Sequence, residues 1–227
     1  MKETAKNLKK MAEFGVSEGI SEMILTTRNA ADSDSASDSK FNAAPFGITW
    51  KNNRLFLHLF KGSKTRENLL REDFFAANLT DDAVLFAESA FYDLKPEKFE
   101  EIKSEQSAFT PAGTPILVPV LKNADRFIIF KCVSRFEEAG STVIDIEPVD
   151  FGILNPEKAG FVFNRGFHSV IEACIHLTRY ELTKDTAFIE YIRHHQKIIQ
   201  RCGRKQDKNG FSIVRRRLME IEEESRK

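Results

Sequence analysis

Residues 41–61 read FNAAPFGITWKNNRLFLHLFK and carry a clear signal for the fold. Both arms are rich in aromatic and aliphatic residues, and Asn52-Asn53 between them tolerates the positive φ that a tight turn demands. The stretch therefore predicts a β-hairpin. Its first arm contains NAAPFG (42–47), whose small side chains and proline have two interpretations. They mark an edge strand with a bulge, or they let a ligand approach the backbone closely.

Further segments on both sides of this hairpin favour strands, with two short helices between them. The expected strands are 20–27, 73–80, 116–121, 126–138 and 141–153, and the expected helices are 62–72 and 81–91. We expect the last three strands to form an antiparallel meander, and the charged stretch 95–107 to be a loop or short helix. Pro119 and Pro148 predict edge strands or strand ends.

From Asn164 onward the apolar period becomes helical and the strand signal disappears. Helices are expected at about 165–181, 184–202 and 210–225, after a weak N-terminal helix over residues 2–12. The sequence thus predicts a mainly β fold with α (α+β), a small barrel followed by a C-terminal helical subdomain. We expect an N-terminal extension (1–19), a barrel domain (20–158) and the helical subdomain (159–227).

Composition restricts the functional class. The 227 residues contain 34 Lys+Arg and 34 Asp+Glu, which argues against nucleic-acid binding through the whole surface. The three cysteines form no C-x-x-C pair, a pattern typical of a reduced cytoplasmic protein rather than a zinc ribbon or disulfide framework. The N-terminus lacks the apolar core of a signal peptide, and no apolar run is long enough to cross a bilayer. We expect a cytoplasmic protein without a membrane segment.

The tetrapeptide GSKT at 62–65 invites comparison with a phosphate-binding loop. The Walker pattern fails, because Ser63 stands before Lys64 and Leu57 occupies the position of the earlier glycine. Two interpretations remain open. The segment is a serine-capped helix start with solvated charges, or its backbone N–H groups, hydroxyls and ammonium bind a phosphate group.

The Ser/Asp-rich segment NAADSDSASDSK at 29–40 is expected to be a mobile, solvated loop, particularly over 32–39. It lacks the glycine and terminal glutamate of an EF-hand, so calcium binding is not favoured.

Several motifs together resemble a known family. They are the E-x-x-x-T-T strand from Glu22 to Thr27, then NAAPFG, HLFKGSKTRENL and FFAANLTDD in this order, with NRGFHSVIEACIHLTR at 164–179. This series is similar to the archaeal domain-of-unknown-function family numbered 447, whose members resemble flavin reductases with the FMN-binding split-barrel fold. The Ser/Asp segment is longer and more acidic than the turn usual in the family.

The resemblance implies FMN as the cofactor and a homodimer with flavin at the interface. It places the FMN phosphate after the third strand and the isoalloxazine ring against the backbone of the strand before. The residues we expect to bind the cofactor, the last two because of their place on the helix that follows the barrel, are Thr27, Arg28, Asn42, Ala43, Ala44, Pro45, Phe46, Gly47, Ser63, Lys64, Thr65, Asn68, Asn78, Arg165 and His168. Arg28 either offsets charge on the reduced flavin or is a solvated strand-end arginine. Asn78 either bonds the cofactor or caps the following turn.

His168, Glu172 and His176 follow an H-x3-E-x3-H spacing on the first C-terminal helix. Because three ligands from one straight helix would strain tetrahedral geometry, we expect no metal site. These three residues then form a polar stripe along the helix, which is either a solvated face or a functional face directed at the cofactor or a substrate. Under the second interpretation, Arg165 and His168 would raise the reduction potential of the flavin.

The segment 193–217 carries nine Lys/Arg residues and one acid, Asp207. Such a patch can bind nucleic acid or an anionic cofactor tail. Phe211 is its one aromatic residue, so base stacking, and with it nucleic-acid binding, is not favoured.

The leading hypothesis is a flavin-dependent oxidoreductase of unknown substrate, reduced by NAD(P)H or another reductant. A non-catalytic flavin carrier is the alternative, and an RNA-associated protein using the basic segment is a weaker one. No residue stands out as a catalytic acid or nucleophile.

Overall fold

The computed structural model describes residues 2–30, 39–104, 115–158, 160 and 162–224. The chain divides into two compact units, one of residues 1–17 and 21–162 and the other of residues 18–20 and 163–227. Residues 31–38 of the predicted Ser/Asp loop lie outside the described residues.

The described residues of the first unit form eight strands and three α-helices. In chain order they are α1 Lys2–Glu13, β1 Gly19–Arg28, β2 Phe41–Lys51, β3 Arg54–Phe60, α2 Lys64–Leu69, β4 Phe74–Leu79, α3 Ala83–Phe91, β5 Phe99–Ser104, β6 Ile116–Leu121, β7 Arg126–Glu138 and β8 Ser141–Ile153.

Six of these strands close a barrel in the order β1-β2-β3-β8-β7-β4. The predicted hairpin is confirmed: Lys51 pairs with Arg54, and Asn52 and Asn53 have φ values of 52° and 60°. A two-residue turn with positive φ at both positions matches the right-handed twist of the two strands that it joins. The long pair of β7 and β8 is antiparallel from Arg126↔Ile153 to Glu138↔Ser141.

The barrel interior is filled by alternating side chains of its strands. On β3, Leu55, Leu57 and Leu59 are buried while their neighbours are more exposed. The rings of Phe75 and Phe130 stack inside with centroids 5.4 Å apart. Burying each such side chain contributes about 1.5–3 kcal/mol, which fixes the register because a one-residue slip would expose the whole set.

Two sequence expectations about the remaining strands are wrong. Residues 99–104 form strand β5 rather than a loop or helix, and β6 pairs with β5 (Phe99↔Leu121, Ser104↔Ile116) instead of joining the meander of β7 and β8. The reason is non-local: the charged stretch FEEIKS becomes a strand because an apolar partner lies beside it. Pro119 lies in this two-stranded sheet, where each strand is an edge.

Helix α1 contributes to the core of the first unit. Met11 and Phe14 are buried in the same apolar cluster as the barrel strands, and the side chain of Asn7 donates to the carbonyl of Pro148 at 2.9 Å. The sequence alone set residues 1–19 apart as an extension, because their weak periodicity gave no sign of what they pack against.

The second unit contains the helices α4 Arg165–Thr183, α5 Ala187–Cys202 and α6 Lys205–Glu224. Its core consists of buried side chains from all three helices: Ala173, Leu177, Tyr180, Ile192, Ile199, Phe211, Val214 and Ile221. Helix α6 begins five residues earlier than predicted because the buried Asp207 accepts from the backbone N–H of Arg204 at 2.8 Å and caps its start.

Several cations of the basic segment are paired within this unit. Arg193 bonds Glu190, Arg204 contacts Asp207 and Arg217 bonds Glu181. Among the described residues, no helix combines the length and apolar composition needed to cross a membrane.

Candidate functional site

A cleft of about 490 Å³ lies in the first unit. It is lined by a stretch of β2, the first residues of α2 and the end of α3: Asn42, Ala43, Ala44, Pro45, Phe46, Ser63, Lys64, Thr65, Ser89, Ala90, Phe91, Tyr92 and Asp93. The fold therefore brings together the two segments, NAAPFG and GSKT, that the sequence singled out.

The β2 wall of the cleft has little side chain and much backbone. The ladder between β2 and β3 pairs Thr49–Lys51 with Arg54–Phe56, and residues 42–46 lie outside it. Small residues at 43 and 44 allow a flat molecule to lie close to this backbone. Gly47 continues the strand but is not among the residues that line the cleft.

The opposite wall begins at the turn before α2. Gly62 has a φ of +85°, which a larger residue adopts only with strain, and this sharp turn places Ser63 as the helix cap. The Ser63 hydroxyl accepts from the N–H of Arg66 at 3.3 Å and donates to the carbonyl of Phe60 at 3.1 Å.

The charged side chain of this wall is Lys64. Its ammonium contacts both carboxylate oxygens of Asp93, at 2.9 and 3.0 Å, across the cleft. Both side chains are substantially exposed, at 41% and 48%, so the pair contributes at most about 1 kcal/mol. An arriving dianion can therefore replace the carboxylate at little cost.

A network of buried polar side chains connects the strands and the helix that form the cleft. The amide of Asn42 donates to the hydroxyl of Thr65 at 3.0 Å and reaches that of Thr27 at 3.4 Å, while Asn68 donates to Thr27 at 2.9 Å. The same Asn68 also bonds Asn29 at 2.9 Å. These bonds tie β1, β2 and α2 together. Thr27 and Asn68 are buried and are not among the lining residues.

The side-chain amide of Asn78 forms its hydrogen bonds with other residues of the first unit. Both of its amide hydrogens are used, toward the carbonyl of Ile24 at 2.9 Å and the hydroxyl of Thr26 at 3.0 Å. Its amide oxygen accepts from the backbone N–H of Leu121 at 2.9 Å. This arrangement matches neither sequence interpretation, because the side chain joins β1 and β6 to β4 rather than capping a turn.

Arg28 lies at the end of β1 and is paired. It bonds Glu101 at 2.5 Å and the carbonyl of Leu117 at 3.1 Å, and its guanidinium lies 5.5 Å from the ring centre of Phe41. The hydrogen bonds from Arg28 and then Lys40 hold the pKa of Glu101 below its ordinary value. Arg28 therefore serves an ion pair of the β1–β5 region and is not among the residues that line the cleft.

Arg165 and His168 belong to the second unit. Arg165 is the first residue of α4, and the ring of His168 stacks on Phe163 with centroids 5.7 Å apart. Their assignment to the cofactor stays a prediction.

The third wall of the cleft, Ser89–Asp93, was not predicted from the sequence. Phe91 and Tyr92 there are strongly exposed, at 80% and 72%, which is unusual for two adjacent large apolar side chains. The adjacent aromatics after a short helix were the available signal, but nothing local in the sequence shows that they face residues 42–46.

The chemistry available in the cleft is that of binding. The lining residues include hydroxyls, one amide, one lysine and one carboxylate, but no histidine, cysteine or arginine. Such a set holds and orients an anionic, flat molecule. A reaction at this site would need the chemistry of the bound group itself.

Comparison with known proteins identifies the family. The model of the N-terminal domain of a protein family of unknown function, DUF447, matches residues 21–155, and the C-terminal DUF447 model matches residues 164–216. A crystal structure of FMN-bound protein MM1853 from Methanosarcina mazei is 36% identical, with a TM-score of 0.54, over 91% of this chain and 99% of that one.

Two further similarities are more limited. The uncharacterized protein MJ1453 from Methanocaldococcus jannaschii is 42% identical over 60 residues, which is 26% of this chain and 27% of that protein. Flavin reductase HpaC, solved with NADP+, is 13% identical with a TM-score of 0.45, over 70% of this chain and 92% of that one. Since its two family models together span most of the sequence, the chain belongs to the DUF447 family.

Proposed function

We propose that this protein binds FMN in the cleft, with the phosphate at Ser63–Thr65 and the isoalloxazine ring against residues 42–46. The observation that carries the proposal is the meeting of these two segments in one cleft, in a chain that is 36% identical to an FMN-bound protein over nearly its whole length. A volume of about 490 Å³ is within the usual range for a small-molecule site.

The residues present suit the parts of FMN. Charge-assisted hydrogen bonds from Lys64 and backbone N–H groups at the start of α2 favour a phosphate dianion. The backbone of residues 42–46, which lies outside the β2–β3 ladder, suits the hydrogen-bonding edge of a flavin ring, and Phe91 and Tyr92 offer apolar surface to its face. Thr65 and Asn42 hold these two walls at a fixed separation through their mutual hydrogen bond.

We further propose that the bound flavin is catalytic and accepts a hydride from NAD(P)H or another reductant. When bound, FMN supplies the redox chemistry, and this chain binds and orients it. A lining without histidine or cysteine fits a reaction of that kind and fits a flavin carrier equally, so the two functions require a kinetic test.

The test uses anaerobic FMN-loaded protein mixed with NADH or NADPH while the visible flavin absorption is followed. An oxidoreductase should lose this absorption much faster than an equal concentration of free FMN. If the bound flavin is reduced no faster than free FMN by either nucleotide, yet is reduced by dithionite, NAD(P)H is not its reductant and the carrier function is favoured.

We also propose a homodimer with the flavin at the interface. Phe91 and Tyr92 form an exposed apolar rim beside the cleft, and a second copy would remove that area from water at roughly 25 cal/mol per Å². Light scattering should give twice the chain mass for the wild type and a shift toward monomer for Phe91→Ser with Tyr92→Ser. Leu182→Ser, at a site 85% exposed in the second unit, is the matched control and should remain dimeric. A monomeric wild type contradicts this proposal.

A further inference from the structure

We propose that Glu172, His176 and His195 form a binding site for a divalent transition-metal ion of the zinc type. Each offers one ligand atom, and the three atoms lie within 4.8 Å of one another. The site lies wholly in the second unit and does not depend on the proposed flavin function.

The three ligands come from two helices. Glu172 and His176 are one turn apart on α4, and His195 approaches from α5. The objection to a single-helix H-x3-E-x3-H site therefore does not apply, because His195 takes the role that the spacing gave to His168. Two imidazoles and one carboxylate, with a fourth position left for water, form a ligand set that zinc commonly takes.

The distances suit an ion after a small adjustment. Zinc–ligand bonds are about 2.0–2.2 Å, which places tetrahedral ligand atoms roughly 3.4 Å apart. The separations of up to 4.8 Å found here can close by rotation of side chains, since Glu172 is exposed and long enough to move toward the two rings.

Each of the two histidines also has one buried ring nitrogen without a hydrogen-bond partner among the described residues. Nδ1 of His176 and Nδ1 of His195 are both buried and, among the described residues, neither has a hydrogen-bond partner. A buried polar atom without a partner is unfavourable, and it calls for an explanation. Coordination of one ion through these two Nδ1 atoms would supply that partner.

Other aromatic rings surround the two histidines. The rings of His176 and His195 are nearly parallel with centroids 5.4 Å apart, and Phe188 and Tyr191 pack around His176 at 5.9 and 5.1 Å.

The test titrates Co²⁺ and Zn²⁺ into the full-length chain after removal of any polyhistidine tag and treatment with a chelator. Co²⁺ should give the visible absorption of a four- or five-coordinate site, and Zn²⁺ should abolish it at one equivalent. His176→Ala and His195→Ala should each weaken Co²⁺ binding at least tenfold, and Glu172→Gln should weaken it less.

His194→Ala is the matched control, because this neighbour of His195 on α5 is not one of the three ligands. It should bind Co²⁺ as the wild type does, and circular dichroism should show that every variant keeps its helices. The proposal is overturned if the wild type gives no saturable Co²⁺ signal, if either ligand variant binds like the wild type, or if His194→Ala loses as much affinity as they do. FMN binding by the same variants separates this result from the proposed function, since it should not change.

Discussion

The side chain of Asn78 illustrates how one residue can look like a ligand in the sequence and serve the scaffold in the structure. It is fully buried and bonds Ile24, Thr26 and Leu121. No property of the stretch FFAANLTDD distinguishes such a residue from one that faces a cofactor, because the partners come from β1 and β6, far away in the chain.

We therefore predict that Asn78→Leu destabilises the barrel without weakening the site directly. Leaving the Leu121 N–H and the Ile24 carbonyl short of a partner should lower the free energy of unfolding by about 2 kcal/mol or more. Urea unfolding followed by the fluorescence of Trp50, the only tryptophan of the chain, measures this in the barrel unit. A loss of FMN affinity at unchanged stability would contradict the scaffold role.

The pair of Lys64 and Asp93 leads to a second residue-scale prediction. The carboxylate of Asp93 pairs with the ammonium of Lys64, so under the proposed function it would compete with the phosphate of FMN. Asp93→Asn should therefore tighten FMN binding roughly threefold, the magnitude of an exposed ion pair, with little change for riboflavin. Fluorescence titration with both ligands measures the difference.

Asp81→Asn is the matched control, because Asp81 forms a similar exposed pair with Lys158. It should leave FMN affinity unchanged. Weaker FMN binding by Asp93→Asn would show that Asp93 does not act as a competitor.

At the scale of elements, the β7–β8 pair contains one close contact, between a phenylalanine ring and a glycine. Phe127 lies opposite Gly152, and a Cβ added at Gly152 would come within 2.1 Å of the Phe127 ring. Gly152→Ala should lower the free energy of unfolding by about 1–3 kcal/mol through overpacking. Phe127→Leu should relieve part of this loss, so that the double variant is more stable than the sum of the single effects. Strictly additive effects, measured through Trp50 fluorescence, would place the strain elsewhere.

The elements best predicted from sequence were those with strong local signals. The hairpin at Asn52-Asn53 needed only its turn residues and two apolar arms, and it formed as expected. Strand β5 was missed because its charged residues are compatible with a strand only when β6 is beside it.

The apolar face of α4 shows the same limit. Phe167 and Ile171 are large and apolar, yet they are 46% and 43% exposed, while the smaller Ser169 and Ala173 are buried. A hydrophobic period indicates that a helix has a preferred face, but the width of that face depends on how closely its neighbours pack. The way in which α5 and α6 pack against α4 is known only from the fold.

The whole molecule joins segments whose relation no local pattern shows. The sequence singled out residues 42–47 and 62–65 separately, and the fold places most of them in one cleft. The third wall around Phe91 and the contribution of His195 to a histidine cluster were not foreseen, because each depends on contacts between distant elements.

The central claim is that the phosphate of FMN is bound at Ser63–Thr65, and the most direct test compares FMN with riboflavin. Both ligands are titrated into the wild type, into Lys64→Ala with Thr65→Ala, and into Lys61→Ala, a nearby lysine that does not line the cleft. We expect FMN to bind the wild type much more tightly than riboflavin. The double variant should lose at least tenfold in FMN affinity, about 1.4 kcal/mol, with riboflavin and the Lys61→Ala control nearly unchanged. Equal affinity of the wild type for the two ligands, or an equal loss of both in the double variant, would contradict this account.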